Sequence, residues 1–338
     1  MNDKIKNNSA VYYINLADRI DRKIHIENEL LIFENMVSRI DAIKDKIGSI
    51  GCAKSHILAL KTFLQTTKKY CFIFEDDFQF LYQQNETIKI INNIFEHDFD
   101  MILLTYNLSD AHLTFSFDLK QYNLGNICNS RTTAGYLITQ NYVGTLLNNF
   151  EDCLKKQLQG FKTAIDLSFQ ILQKDKSFYA CVPILGTQYD NYSDIENRQT
   201  IYDTCNGCIV INFVTDMQVA EDFPFIIKQY VINKNIDMRI QENNAINDIK
   251  SLYPAIKYIF VTNALVDINK LYKLYKLFLE NKLIFEPDTL KIMLSKPIIK
   301  NGMICAKKTY YQSYKINNQN NYLIYGDKKY YVSGVLLN

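Results

Sequence analysis

Up to about residue 200, short apolar runs alternate with stretches in which apolar residues recur at helical spacing. The run from Val11 to Leu16 predicts a buried strand, and the segment from Asp21 to Leu31 predicts the helix after it. A second pair begins with Val37 to Ile40 and continues in a helix whose apolar residues, from Ala53 to Leu64, share one side. Repeated strand–helix pairs are typical of an α/β domain built on a mostly parallel central sheet.

The run from Tyr70 to Phe74 has no polar interruption, which predicts a central strand covered on both faces. The remaining elements of this region are predicted as strands at Met101 to Leu104, Gly135 to Ile138 and Phe178 to Val182, and as helices near Asn141 to Phe150 and Ile165 to Gln173. We therefore expect residues 1–204 to form one α/β sandwich domain.

After Thr204 the pattern changes to a mixture of strands and amphipathic helices. Strands are predicted at Cys208 to Val214 and Tyr258 to Val261, and helices near Ile268 to Leu279 and Asp288 to Leu294. The tyrosine-rich tail has two short strands, Tyr322 to Tyr325 and Lys328 to Val332, whose Gly-Asp connection favours a hairpin. We expect residues 205–338 to form an α+β appendage that binds an acceptor or forms a homodimer.

The composition is that of a globular protein without a strongly charged surface. Hydrophobic residues make up 48% of the 338 residues and charged residues 22%, which supplies a core and argues against disorder. The 38 lysines and arginines nearly balance the 36 acidic residues, so the net charge of +2 gives no field for holding a polyanion. Nucleic acid is therefore not an expected partner.

We expect a cytoplasmic protein without a targeting segment. Met1 to Ser9 is charged and rich in amides, and it lacks the apolar stretch of a signal peptide. No later run is long and uncharged enough to span a bilayer. The eight cysteines lie scattered through predicted strands and helices, as free thiols in a reducing compartment do, and Cys205 with Cys208 makes only half a zinc site.

Three acidic residues stand directly after the predicted central strand: Glu75, Asp76 and Asp77, here called the acidic triplet. Ligands of open parallel sheets bind beyond the carboxyl ends of the strands, so these side chains would project into a site. If the extended conformation continues, Glu75 and Asp77 share one side, and two carboxylates on one side suit a hard divalent cation. The alternative is that the triplet only begins a helix, where acidic residues are favoured.

Other segments decide between these interpretations because they accompany the triplet in a defined order. Tyr13 to Arg22 has an Ile-Asn-Leu strand end followed by Arg and Asp-Arg, and Gly51 to His56 has Gly-Cys followed by Ser-His. After the triplet come Ile165-Asp166, then Gln188, then Ser193-Asp194-Ile195. In this order, residues 10–200 resemble glycosyltransferase family 25, which includes lipopolysaccharide glycosyltransferases and procollagen galactosyltransferases.

The resemblance implies a GT-A type fold that binds a UDP-sugar near the first strand, holds Mn²⁺ or Mg²⁺ at the acidic triplet and inverts the anomeric carbon. The transferred hexose would be galactose or glucose. Asp77 is the expected direct metal ligand, with Gln188 as a further one. Glu75 would assist the metal or hold the donor ribose, and Asp76 would contact the sugar or support the loop. A cation on the diphosphate would offset the charge of the departing nucleotide.

The residues after the first strand are expected to bind the donor. Asn15 and Leu16 offer groups that could read a uracil, and Arg19 and Arg22 offer guanidinium groups for phosphate. The alternative for either arginine is a helix residue that faces solvent.

The resemblance also gives Ser55 and His56 a role in donor binding. His56 lies four residues before Leu60 and seven before Phe63, so a hydrogen-bonded histidine at the edge of the core is the competing interpretation.

Inversion requires a base that takes the proton of the acceptor hydroxyl as it attacks. Asp166 is the expected base, and helix capping is its alternative role because it precedes a predicted helix. Asp194 is the second candidate, or a ligand of metal or acceptor together with Gln188.

The acceptor follows from the resemblance alone. It would be a glycan, such as a lipopolysaccharide oligosaccharide if the origin is bacterial, or hydroxylysine of a collagen-like protein if the origin is a giant virus. A viral enzyme would act in the host cytoplasm or reside in the virion. Lys54 departs from the family pattern, and the chain has no Trp with which to bind an acceptor.

Two other functions would use the same residues. Carboxylates with a divalent ion also serve a phosphohydrolase or a nucleotidyltransferase, although neither a P-loop nor a G-x-G-x-x-G segment is present. A carbohydrate-binding module without catalysis would instead use the tyrosines of the tail, which stack well on sugars. Turnover of UDP-sugars separates the three functions.

Overall fold

The computed structural model describes residues 1–106, 112–117, 123–175, 177–182, 184–195, 198–200, 208–214, 226–253, 258–262, 283–286, 289–300, 303–315, 322–325 and 328–331. The chain divides into two units, Met1–Tyr202 and Asp203–Asn338.

The first unit alternates helices and strands. Its elements are α1 Asp3–Asn8, β1 Ser9–Asn15, α2 Ile20–Glu29, β2 Val37–Asp41, α3 Gly48–Leu64, β3 Tyr70–Glu75, β4 Phe78–Phe80, α4 Gln84–Ile94, β5 Met101–Leu103, β6 His112–Phe117, β7 Asn123–Cys128, β8 Gly135–Thr139, α5 Val143–Leu158, α6 Ile165–Ser168, β9 Phe178–Val182, β10 Gly186–Gln188, β11 Asn191–Ser193 and β12 Arg198–Thr200. Two 3₁₀ segments, Leu30–Met36 and Phe169–Lys174, continue α2 and α6. Within the described ranges, no helix has both the length and the apolar run that crossing a bilayer requires.

An eight-stranded sheet in the order β2-β1-β3-β8-β5-β9-β7-β6 forms the centre of this unit. Strand β1 is parallel to both β2 and β3, and only β8 and β7 run against the other strands. The predicted α/β class and the mostly parallel sheet are therefore confirmed. Ile14 is level with Glu75, and Asn15 with Asp41, so the carboxyl ends of three strands meet at one edge.

A cluster of five phenylalanines fills the core beside this edge. The ring of Phe33, from the 3₁₀ segment after α2, lies 4.9 Å from that of Phe72 in β3. Phe78 in β4 contacts Phe74 at 4.7 Å and Phe80 at 4.9 Å between ring centroids. Burying one such ring contributes about 1.5–3 kcal/mol, so β4 is held firmly against β3.

Phe78 lies in a slot that two glycines leave open. A β-carbon at Gly135 would lie 2.5 Å from Phe78 Cε2, and one at Gly186 would lie 2.2 Å from Phe78 Cζ. Both separations are far below van der Waals contact, so only glycine leaves room for the ring. Phe78 directly follows Asp77, so the slot also fixes the position of Asp77, the last residue of the acidic triplet.

The described part of the second unit contains two sheets. Its described elements are β13 Cys208–Val214, β14 Ile226–Val231, α7 Met238–Leu252, β15 Tyr258–Thr262, β16 Leu283–Glu286, β17 Thr289–Lys300, β18 Met303–Lys315, β19 Tyr322–Tyr325 and β20 Lys328–Tyr331. One sheet has the order β14-β13-β15-β19-β20, with β13 parallel to both of its neighbours, and the other is the antiparallel group β16-β17-β18.

The tail of the second unit confirms one prediction and contradicts another. Strands β19 and β20 pair antiparallel, as the hairpin prediction requires. The predicted helix from Asp288 to Leu294 is wrong, because residues 289–294 belong to β17, which pairs with β18 over its whole length, whereas Asp288 lies outside the described residues. Leu290, Ile292 and Leu294 alternate with other residues at the period of a strand, and this pairing outweighs local helix preference. The predicted helix from Ile268 to Leu279 lies outside the described residues.

We predict opposite effects for two glycine-to-alanine substitutions. Gly186→Ala should lower the free energy of unfolding by about 1–3 kcal/mol, because the new methyl group overlaps the buried Phe78 ring. Gly144→Ala is the control: it lies in α5 with nothing within 4 Å of the added carbon, and it should raise stability by about 0.5–1 kcal/mol. Urea denaturation measures both, and equal effects of the two substitutions would contradict the slot.

Candidate active site

The acidic triplet lies at the carboxyl end of β3, as predicted. The strand ends at Glu75, and Asp76 and Asp77 form a turn before β4. The expectation that Glu75 and Asp77 share one side of an extended strand is therefore wrong, and the same guanidinium contacts Asp76 and Asp77 instead. Only 8% of Asp76 and 3% of Asp77 is exposed, so this turn carries two nearly buried carboxylates.

Arg22, from α2, is the counter-charge of the turn. Its Nη1 donates to Asp76 Oδ1 at 2.9 Å and to Asp77 Oδ2 at 3.2 Å, and its Nη2 donates to the Tyr192 carbonyl at 2.9 Å. The Nε atom is buried and has no hydrogen-bond partner among the residues that the structure describes. The interpretation of Arg22 as a solvent-facing residue is wrong, since its side chain is only 9% exposed.

The three carboxylates differ in proton affinity. Burial, followed by the charge of Glu75, raises the pKa of Asp77 to about 7. Burial also raises the pKa of Asp76, against the opposing effect of Arg22. Burial acts in the same direction on Glu75, but the hydrogen bond and charge of His56 outweigh it and lower the pKa of that carboxyl. Two neighbouring carboxylates are thus pushed apart in pKa, which is a feature of functional sites.

Asn15 joins the end of β1 to this cluster. Its Nδ2 donates to Asp76 Oδ2 at 2.8 Å and to the Arg19 carbonyl at 3.1 Å. Its side-chain oxygen accepts a hydrogen bond from Arg39 Nε at 3.1 Å. Arg39, in β2, was not singled out from the sequence, because a charged residue on a predicted strand has no pattern that distinguishes it from a solvated one.

His56 and Ser55 are neighbours on α3 but serve different contacts. His56 Nε2 lies 3.3 Å from Glu75 Oε1, and its Nδ1 lies 3.1 Å from the Tyr136 hydroxyl. The Ser55 hydroxyl donates to the Gly51 carbonyl at 2.7 Å and accepts from the backbone N–H of Ile43 at 2.8 Å. His56 is therefore part of the carboxylate cluster, whereas Ser55 fastens α3 to the loop that precedes it.

Arg19 and Asp194 meet at the rim of the site. Arg19 Nη1 pairs with the Asp194 carboxylate and donates to the Tyr192 carbonyl at 3.1 Å. Leu16 forms the turn between them and β1, since its carbonyl accepts the backbone N–H of Arg19 at 3.0 Å. The side chain of Asp194 is 42% exposed, so it belongs to the solvent-facing edge rather than to the buried cluster.

A polar segment before β8, Thr132 with Thr133, contacts two candidate residues, Gln188 and Glu75. Thr132 has a φ of 76°, which is rare for a β-branched residue. The Thr132 hydroxyl donates to Gln188 Oε1 at 3.2 Å, and the Thr133 hydroxyl donates to Glu75 Oε1 at 2.7 Å. Sequence reasoning missed this segment because nothing in its composition signals a left-handed backbone.

Asp166 lies in the first turn of α6, whose N-cap is Ala164, so the helix-capping interpretation is wrong. Burial raises the pKa of the Asp166 carboxyl, and so does the charge of Glu75, while a hydrogen bond from the Thr132 backbone opposes them. The influence of Glu75 places Asp166 in the electrostatic environment of the triplet. A carboxyl with a raised pKa is suited to accept a proton near neutral pH.

Gln188 closes the cluster from the β10 side. It is level with Phe78 in the antiparallel β10–β4 pair, and its Nε2 lies 3.4 Å from Asp77 Oδ2. The next residue, Tyr189, donates its backbone N–H to the Asp77 carbonyl at 2.6 Å. Both the backbone and the side chain of Asp77 are thus held.

The residues of the triplet fit a hard divalent cation. Three ionised carboxylates would face the guanidinium of Arg22 and the imidazole of His56, and at least one negative charge would stay uncompensated. Burial is the main cause of the raised pKa of Asp77, and the negative charges of Glu75 and Asp76 raise it further. Carboxylate oxygens are the ligands that Mn²⁺ and Mg²⁺ prefer, so a cation here would offset the repulsion.

Comparison of the sequence with family models gives one match. Residues 46–167 match glycosyltransferase family 25 (LPS biosynthesis protein). The matched range includes His56, the acidic triplet and Asp166. No curated protein sequence matches the chain significantly.

Several solved structures superpose on parts of the chain. A glycosyltransferase involved in the glycosylation of the major capsid of PBCV-1 is 6% identical, with a TM-score of 0.34 over 51% of this chain and 81% of that one. GlyE of Streptococcus pneumoniae TIGR4 is 11% identical, with a TM-score of 0.26 over 51% and 44%. UDP-glucose pyrophosphorylase complexed with UDP-glucose is 9% identical, with a TM-score of 0.30 over 53% and 74%. The superpositions are partial, and the family match rests on residues 46–167.

The raised pKa of Asp77 predicts how stability depends on pH. Its folded-state pKa of about 7 exceeds the ordinary value of 3.8, so the folded state binds the proton more tightly. The corresponding stability is fully present below about pH 4 and is lost as the pH rises through 7. In a metal chelator, Asp77→Asn should therefore be more stable than the wild type at about pH 8, by more than about 1 kcal/mol, and equal to it near pH 4.

Urea denaturation across this pH range measures the effect. Asp152→Asn is the control, because Asp152 is an exposed partner of Lys155 on α5 and should leave the pH profile unchanged. Parallel profiles for wild type and Asp77→Asn would contradict the assignment of the high pKa to Asp77.

Proposed function

We propose that this chain, a glycosyltransferase by the family 25 match of residues 46–167, is a metal-dependent inverting hexosyltransferase that uses a UDP-sugar. The observation that carries the proposal is the acidic triplet, a group of three carboxylates with one guanidinium at the carboxyl ends of β1 and β3. This is the edge at which open α/β sheets bind their ligands. A divalent cation would offset the negative charge of the carboxylates, and a nucleoside diphosphate would bind to that cation.

Mn²⁺ or Mg²⁺ would be held by Asp77 and Glu75. Gln188 would become a further oxygen ligand once its amide turns, because its Nε2 faces Asp77 and its Oε1 accepts from Thr132. When bound, the cation supplies Lewis-acid stabilisation of the leaving diphosphate. Asp76 has a different task, because Arg22 and Asn15 both hold its carboxylate in place. We assign Asp76 to the donor sugar or to support of the turn.

Arg22 and Arg19 are the phosphate-facing groups of the proposal. In the described part of the chain the buried Nε of Arg22 has no hydrogen-bond partner, and a phosphate oxygen would satisfy it after a shift of the side chain that exposes this atom. Arg19 lies beside it, since both guanidinium groups donate to the Tyr192 carbonyl. Asn15, Leu16, Ser55 and His56 complete the proposed donor site, Ser55 through the loop that it fastens.

Asp166 is the proposed base. As the acceptor oxygen forms its bond to the anomeric carbon, the bond from that carbon to the diphosphate oxygen breaks, and the electron pair leaves with UDP. The acceptor proton passes to the Asp166 carboxylate, whose raised pKa favours uptake. Asp194 is the second candidate, although its pairing with Arg19 holds its carboxylate at the exposed rim.

The substrate assignment is narrower than the class. We propose galactose or glucose as the sugar and a hydroxyl as the acceptor, on hydroxylysine of a collagen-like protein or on a glycan. The second unit would bind this acceptor or form a homodimer. The cytoplasm, or a virion and its host cytoplasm, is the proposed place of action.

Purified protein incubated with Mn²⁺ and a panel of UDP-sugars tests the function. Release of UDP from UDP-galactose or UDP-glucose, lost on adding a chelator, is the expected result. Asp77→Asn should lose this activity while its circular dichroism spectrum stays unchanged. Release of inorganic phosphate or pyrophosphate would instead show the phosphohydrolase or nucleotidyltransferase, and sugar binding without turnover would show the binding module.

A substitution at the proposed base should separate donor binding from chemistry. Asp166→Asn should lower kcat by about 10²–10⁴-fold with little change in the affinity for UDP, because the amide cannot accept the proton. Asp152→Asn, on the exposed face of α5, is the matched control and should keep full activity. A kcat for Asp166→Asn within a few-fold of wild type would transfer the role to Asp194, which Asp194→Asn then tests.

A further inference from the structure

A second group of metal-ligand atoms includes Glu75 and two residues of α3. Cys52 and His56 are one helical turn apart on α3, and Glu75 ends β3 opposite them. The Cys52 Sγ, an imidazole nitrogen of His56 and a Glu75 carboxylate oxygen all lie within 4.8 Å of one another. Within the described residues, this is the only trio of histidine, cysteine and acidic side chains that is arranged in this way.

The trio already has outer partners that orient its ligands. His56 Nδ1 lies 3.1 Å from the Tyr136 hydroxyl, which leaves Nε2, the nitrogen that faces Glu75, as the one available to a metal. The Thr133 hydroxyl donates to Glu75 Oε1 at 2.7 Å and holds that carboxylate. In metal sites, the histidine and carboxylate ligands are typically held in orientation by hydrogen bonds to neighbouring residues that do not bind the metal.

The ligand set points to a particular ion. A thiolate with an imidazole and one carboxylate suits Zn²⁺, which takes four ligands and keeps the fourth position for water in open sites. Mn²⁺ and Mg²⁺ prefer oxygen ligands, so a thiol discriminates against them. Cys52 is only partly buried and the Glu75 side chain is 22% exposed, so two of the three residues keep some contact with solvent.

We propose that Cys52, His56 and Glu75 form an inhibitory site for Zn²⁺ that shares only Glu75 with the Mn²⁺ or Mg²⁺ site of the acidic triplet. Binding replaces the hydrogen bond between His56 and Glu75 by bonds from both residues to the ion. The thiol of Cys52 loses its proton to solvent as the sulfur–zinc bond forms. The inhibitory effect rests on the proposed function, because it arises from the withdrawal of Glu75 from the triplet. The binding of Zn²⁺ itself does not depend on the proposed function.

Binding can be measured without any activity, with Co²⁺ as the spectroscopic substitute for Zn²⁺. Titration of the full chain should produce a sulfur-to-cobalt charge-transfer band with one equivalent bound, and Zn²⁺ should displace it. Cys52→Ser should abolish the band, whereas Cys128→Ser, which removes another partly buried free cysteine, should keep it. Tyr136→Phe should weaken Co²⁺ binding by about 10–100-fold through loss of the outer hydrogen bond.

Asp77→Asn distinguishes the two sites. It should keep the charge-transfer band although it removes the proposed catalytic ligand. Absence of the band in folded wild type, or its survival in folded Cys52→Ser, would overturn the zinc site, with folding checked by circular dichroism. Failure of UDP release with Mn²⁺ would count against the proposed function and not against the zinc site.

Activity then tests the inhibition. With Mn²⁺ in excess, Zn²⁺ should suppress UDP release by the wild type, and Cys52→Ser should keep the basal rate and lose this sensitivity by at least about tenfold. Equal inhibition of both proteins by Zn²⁺ would show displacement of Mn²⁺ from the triplet and would overturn the inhibitory role.

Discussion

The packing of Phe78 against Phe74 is the contact on which the site depends. These rings lie on either side of the acidic triplet in sequence, and both are fully buried. The turn between them cannot open without exposing one of the rings to water, which costs about 1.5–3 kcal/mol for each. Hydrophobic burial therefore holds together carboxylates that repel one another. The slot formed by Gly135 and Gly186 contributes to the same packing, because it leaves room for the Phe78 ring.

Around this turn, each carboxylate has a different set of neighbours, and Arg22 is shared by Asp76 and Asp77. Arg22 and Asn15 contact Asp76, His56 and Thr133 contact Glu75, and Gln188 with Arg22 contacts Asp77. Asp77 has the highest proton affinity because it combines full burial with the nearby charge of Glu75. The cluster thus contains a carboxylate that ionises readily beside one that ionises only near neutral pH. Binding of a cation would strongly change the ionisation of these carboxylates, because the cation supplies positive charge that the protein itself does not provide.

Much of the first unit could be predicted because its apolar runs are long and regular. The strands that carry Asn15 and Glu75, and the helix that carries His56, follow directly from hydrophobic period, and their order placed the polar residues at one sheet edge. Thr133 and Tyr136 could not be found in this way, because their contacts are made across the sheet by residues far apart in sequence. The helix prediction for the segment after Asp288 was wrong for another reason. Strand pairing is a long-range interaction, and a short apolar window contains no information about its partner.

The left-handed backbone of Thr132 has a consequence for ligand binding. A β-branched residue in this region costs of order 1–3 kcal/mol, and the surrounding contacts impose the conformation during folding. The hydroxyls of Thr132 and Thr133 are consequently aimed at Gln188 and Glu75 before any substrate arrives. The conformational entropy of Thr132 and Thr133 is thus lost when the chain folds, and it is not lost again in each catalytic cycle. A greater share of the binding energy therefore remains for orienting the substrate.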